Sequence, residues 1–126
     1  MNQNSVPATK IGYTRAEFGK IFQIYSQNVY SGLFRDFCFS ETDGHYFISF
    51  KEDAGKAPLI TIEKRRLGPD RNLFVATTTG PKGAPQEIVR SEKIDHFTER
   101  LREKIDDLRE GRTLSKSLKV VHGQLT

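Results

Sequence analysis

The hydrophobic period of this chain switches twice, from three- and four-residue steps to strict alternation and back again. That double switch admits few architectures. The first helical signal opens at Thr14, which stands three residues before Glu17. This is the spacing of a capping box, in which each side chain satisfies the other residue's orphan backbone N–H. Tyr13 and Phe18 flank it at hydrophobic-staple positions, and Phe18, Ile21, Phe22, Tyr25 and Val29 then recur on one helical face. Ser31-Gly32 ends the run, with Gly32 suited to the left-handed position after a helix.

From Leu33 the period becomes two. Leu33, Phe37 and Phe39, with Arg35 among them, are expected on one strand face, and Phe34, Asp36, Cys38 and Ser40 on the other. Asp43-Gly44 is a tight hairpin turn, because both residues tolerate positive φ. The next strand puts Tyr46, Ile48 and Phe50 on one side and His45, Phe47 and Ser49 on the other. Pro58 opens a third strand over 59–65, and 73–79 forms a fourth, rich in β-formers. Short connections favour an antiparallel meander. Residues 80–85 hold two Gly and two Pro and cannot be regular structure. Glu87 to Arg90 adds a short fifth strand.

Ser91 is placed to cap a second helix carrying Ile94, Phe97, Leu101, Ile105 and Leu108, and Gly111 is expected to stop it. The expected fold class is α+β: an N-terminal helix, a four- or five-stranded antiparallel sheet, and a C-terminal helix packed on it. The partition is a loose N-terminus (1–12), one domain (13–111) and a flexible basic tail (112–126), in a chain of single-domain length at 126 residues.

Charge is mixed rather than extreme, at +4 overall. Residues 1–91 hold 12 basic and 9 acidic side chains, 92–110 hold 5 and 7, and 111–126 hold 3 and none. An anionic partner would therefore meet the sheet or the tail. Cys38 is the only cysteine, so an intrachain disulfide is excluded and a reducing, cytoplasmic setting is expected. The polar start Met1-Asn2-Gln3-Asn4-Ser5 lacks the apolar core of a signal peptide. No apolar run approaches the ~20 residues of a membrane span. His45, His96 and His122 lie far apart with no metal-ligand spacing, so neither metal nor cofactor is expected. Gly80 and Gly83 match no phosphate-cradling loop, and no pattern of acids, His and Cys specifies a reaction. A non-enzymatic role is expected ahead of an enzyme, which would need a pocket of perturbed carboxylates or His that a sequence does not reveal.

Two binding surfaces are expected instead. If the sheet's core face carries Tyr46, Ile48, Phe50, Ile60 and Ile62, then Phe34, Phe47 and Phe74 emerge on the reverse. Lys64, Arg65, Arg66, Arg71 and Lys82 would lie around them. Rings beside cations suit stacked bases and a phosphate backbone, so single-stranded nucleic acid is the leading partner, in a binding or regulatory role. The alternative is a protein-interaction module or homodimer that buries the aromatic sheet face or the stripe Leu101, Ile105 and Leu108. The stretch Asp43 to Phe50 resembles part of the RNA-recognition-motif signature, matching at Gly44, Phe47 and Phe50. It lacks the basic first and aromatic third residues, and a helix-first order is wrong for that fold.

Arg15-x-Glu17, Ile21 and Tyr25, then Gly32-Leu33-Phe34-Arg35-Asp36, then Pro58-Leu59 and Ile62-Glu63-Lys64-Arg65, resemble a family of short bacterial proteins. That family is chiefly alphaproteobacterial and is catalogued as a domain of unknown function. The resemblance spans residues 13–105. It departs at Phe34, where Trp is usual, at Ser26, where Gly is common, and in a longer Gly/Pro loop. It implies a single cytoplasmic domain and no particular activity. By arrangement alone, a curved antiparallel sheet followed by a long helix also looks like the Pur and Whirly single-strand binders, whose diagnostic residues are not present.

Overall fold

A computed structural model describes residues 12–55, 57–79 and 83–125, with side chains to Gly111. Helix α1 (Arg15–Val29) is followed by β1 (Asp36–Thr42), β2 (His45–Lys51), β3 (Pro58–Gly68), β4 (Arg71–Thr79) and β5 (Pro85–Ser91), then helix α2 (Ile94–Leu125). The strands form one antiparallel sheet in the order β1-β2-β3-β4-β5, each paired with its neighbour in the chain. The α+β meander is therefore what the alternating period dictates.

Local chemistry sets the boundaries. Thr14 Oγ1 accepts from Glu17 N–H, and a Glu17 carboxylate oxygen accepts from Thr14 N–H at 2.9 Å, completing the capping box. Asp43 and Gly44 both take positive φ, of 50° and 78°, which lets a two-residue turn follow the natural strand twist. Ser91 does not cap α2. Its hydroxyl accepts from Lys93 N–H within the bend after β5, and the first helical backbone bond runs from Phe97 N–H to Lys93 O. Nor does Gly111 end that helix. It adopts no left-handed conformation, and α2 continues to Leu125 through a residue that costs it about 1 kcal/mol relative to Ala.

Both helices cover the same sheet face. Ile48 and Phe50, Ile60 and Ile62, Phe74 and Ala76, and Val89 come from β2 to β5. They bury against Ile21 and Ile24 of α1 and Phe97, Leu101 and Ile105 of α2. Near the C-terminal end of α1, Asn28 is buried. It donates to Ile24 O at 2.8 Å and accepts from Arg109 Nη1 at 2.8 Å, tying α2 back to α1.

Tyr13 enters the same core. Its hydroxyl donates to the carbonyls of Tyr46 (3.0 Å) and Ile62 (3.4 Å). Burial, reinforced by the Glu17 and Glu63 charges, pushes the Tyr13 phenol far above its ordinary value. A raised folded-state pKa means a contribution complete below the unfolded value of about 10 and lost as pH rises through the folded one. Of the four tyrosines, Tyr13 is thus expected to ionise last and together with unfolding, as followed by tyrosinate absorbance and circular dichroism. A single ionisation step for all four, with native dichroism retained, would contradict this.

One residue upstream, Gly12 sits at φ 79°, and a Cβ there would fall on the Tyr46 ring. Gly12→Ala combines left-handed strain with displacement of that ring. It is expected to cost about 1–3 kcal/mol, measured by chemical denaturation. An unchanged midpoint would show that this approach is not tight.

Candidate interaction surface

The pleat assigns each proposed binding residue to a side, and the outcome differs from the sequence expectation. Phe34 is fully buried in the core. It stacks on Tyr25 with centroids 6.0 Å apart and planes at 11°, and lies 5.0 Å from Phe50. The alternation argument fails there because β1 starts only at Asp36, so Leu33 and Phe34 precede the strand and both turn inward. Phe74 is buried as well, 5.6 Å from Phe97 of α2. Its register partner is Lys64, in line with Tyr46, which puts it on the helix-covered face. Of the three expected stacking rings, only Phe47 lies on the open face. It is half-buried between Ser40 and Glu63, with the His45 ring 6.4 Å away.

The cations separate in the same way. Lys64 points into the core side, not to solvent. Its Nζ is 2.7 Å from Glu17 Oε1 and lies over the rings of Tyr13 (5.7 Å) and Phe74 (5.9 Å). Arg65, the next residue, points the opposite way, with Nε 3.0 Å from Glu63 Oε1. His45 Nδ1 holds the other oxygen of Glu63 at 2.6 Å. Arg66 is exposed near the end of β3, opposite Asn72. Arg71 makes a two-pronged bond to Glu92, at 3.0 and 2.8 Å. That contact raises the guanidinium and holds the Glu92 carboxyl below the usual carboxylate range. Lys82 lies outside the described residues, as do residues 1–11 and the side chains of the 112–126 tail.

The helix stripe is also not a seam. Leu101 and Ile105 are fully buried against the chain's own sheet, and Leu108 packs half-buried at the margin of that core. Arg35 is exposed, and Asp36 Oδ2 accepts from the Cys38 thiol at 3.6 Å.

What sequence reasoning missed is a ridge of rings where α1 meets β1. Phe18, Phe22 and Tyr25 recur at helical spacing, and Phe37 and Phe39 at strand spacing. They meet with centroids 5.1–5.9 Å apart: Tyr25–Phe37 5.1, Phe37–Phe39 5.2, Phe22–Phe37 5.3, Phe18–Phe39 5.5 and Phe18–Phe37 5.9 Å. Edge-to-face and offset geometries like these add about 0.5–1.5 kcal/mol per pair beyond area burial. Yet the ridge is not closed: Phe22 is 41% exposed and Phe39 43%. The signal for it was present, since five rings are more than one short helix and one strand need for their own contact.

Among the described residues, the ridge stands at an unpaired sheet edge. β1 and β5 are the two edge strands. β5 begins at Pro85 and pairs through a bulge opposite Ala76/Thr77, two devices that blunt an edge against further pairing. β1, of sequence Asp-Phe-Cys-Phe-Ser-Glu-Thr, has neither Pro nor Lys, and its register with β2 runs unbroken from Asp36 to Thr42.

Among the described residues no cluster of three or more His, Cys, Asp or Glu could hold a metal ion, and no helix is long and apolar enough to cross a membrane. In comparisons with known proteins, the chain matches no protein family, no curated protein and no solved structure.

Proposed function

We propose that this domain is a non-enzymatic protein-interaction module that engages its partner through the β1 edge and the ring ridge above it. One observation carries the reading: among the described residues, an unblunted strand edge coincides with a cluster of rings in which Phe22 and Phe39 are two-fifths exposed. Edge pairing supplies main-chain hydrogen bonds, and alternate side chains supply selectivity. A nucleic-acid role has less support. Phe34, Phe74 and Lys64 serve the core, while Arg65 and Arg71 are already engaged by carboxylates. A cytoplasmic setting remains part of the proposal.

Selection of displayed random peptides on the full chain tests it. Bound peptides are expected to alternate apolar and polar residues, and to lose binding on Phe39→Asp but not on Arg65→Ala with Arg66→Ala. The opposing outcome is peptide capture indifferent to Phe39, together with single-stranded oligonucleotide binding that falls steeply with salt and with those arginines. That result would return the function to nucleic acid.

A further inference from the structure

We infer that the partner is a second copy of this chain, with two β1 edges pairing antiparallel about a two-fold axis at Cys38. The inference rests on the interaction-module reading above and adds an occupant and a register.

The hairpin determines which groups face outward. Thr42 and His45 flank the two-residue turn and so form a hydrogen-bonded pair, after which bonded and non-bonded pairs alternate along β1–β2. The even-numbered residues of β1 therefore spend their N–H and C=O groups on β2. Phe37, Phe39 and Glu41 turn theirs to the free edge.

A two-fold antiparallel partner must match residue i with residue j and j with i. Centring the axis on Cys38 places Phe37 opposite Phe39 of the second copy as a hydrogen-bonded pair, twice. Just before β1, where Arg35 N–H is held by Lys51 O at 2.9 Å, the same axis brings the Arg35 side chain alongside Glu41 of the second copy, again twice. Arg35 and Glu41 are both exposed, and neither is in an ion pair with any other described residue. The string Arg35-x-Phe37-x-Phe39-x-Glu41 thus matches ring with ring as well as cation with anion when read against itself about Cys38. Centring on Phe39 instead would put Phe37 against Glu41 and bring Arg35 only to Asp43, in the turn beyond the strand. The chosen register also makes Cys38 and its copy a non-hydrogen-bonded pair, whose side chains approach most closely. The exposed edges of the two ridges come together on the helix-covered side.

Sedimentation of the full chain over a wide concentration range tests this. A concentration-dependent dimer is expected. Arg35→Glu or Glu41→Arg alone is expected to weaken it roughly tenfold, since each acts at two symmetric places and replaces attraction by repulsion. The double exchange Arg35→Glu with Glu41→Arg restores it. Both positions are exposed, so the variants fold, which circular dichroism verifies. Added diamide, taking two electrons and two protons from the paired thiols, is expected to link Cys38 to its copy in the native dimer and not in Arg35→Glu. A strict monomer at every concentration overturns the inference, and Phe39-dependent peptide binding would then leave the interaction module standing. A dimer without charge-exchange rescue and without the Cys38 link overturns the register and with it this proposal.

Discussion

Phe34→Ala is expected to cost the fold about 3–5 kcal/mol, the loss for a large aromatic side chain removed from a closed core. Phe47→Ala is expected to cost less than about 1 kcal/mol, the scale of a cross-strand pair on an open sheet face. The two residues look alike in sequence: each is a Phe at an even-spaced position expected on the reverse of the sheet. The structure separates them. Phe34 has no exposure and is held between Tyr25 and Phe50, whereas Phe47 meets Ser40 and Glu63 across its own strands. Equilibrium denaturation of both variants decides the matter. Similar losses would mean that the two sheet faces are not segregated as described.

The second large effect concerns the ion pair buried between sheet and helix. Lys64 and Glu17 side chains are only 11% and 13% exposed and meet at 2.7 Å, with Tyr13 and Phe74 rings beneath the ammonium. Lys64→Ala leaves the Glu17 carboxylate in this low-dielectric site without its cation. The expected loss is about 3 kcal/mol, at the low end for a broken buried pair because Thr14 N–H still bonds the carboxylate. Removing both charges is different. Lys64→Met with Glu17→Gln keeps the packing volume and the capping box, and is expected to be close to neutral. A double-mutant cycle by urea denaturation reads this directly. Equal losses for Lys64→Ala and for the double variant would show that charge desolvation is not what links β3 to α1.

These two cases mark how far the chain could be read before its structure was known. Local signals were legible: the capping box at Thr14 and Glu17, the Asp43-Gly44 turn, and the alternation that places Ile48, Phe50, Ile60 and Ile62 together. Such features depend on residues within a few positions of each other. The failures lie where distant segments decide. Phe34 follows Gly32 through a non-strand connection, so parity counted from β1 does not apply to it. Phe74 depends on the β3–β4 register, which shifts between Arg66 and Gly68 at the end of β3. Lys64 reads as a surface cation because its counter-charge is 47 residues away on α1. The ring ridge was hidden for the same reason: its two halves come from different elements, and only the tertiary packing shows that they overfill their own contact.

The meander has a consequence for how the chain is made. Every strand pairs with the one synthesised just before it, so the sheet can assemble progressively as it leaves the ribosome, with short loops to close. The lid over Ile62, Phe74, Ala76 and Val89 arrives last, because Phe97, Leu101 and Ile105 belong to the final element. Until translation passes them, a nascent chain carries a greasy surface bordered by a bare strand, the pairing that chaperones exist to shield.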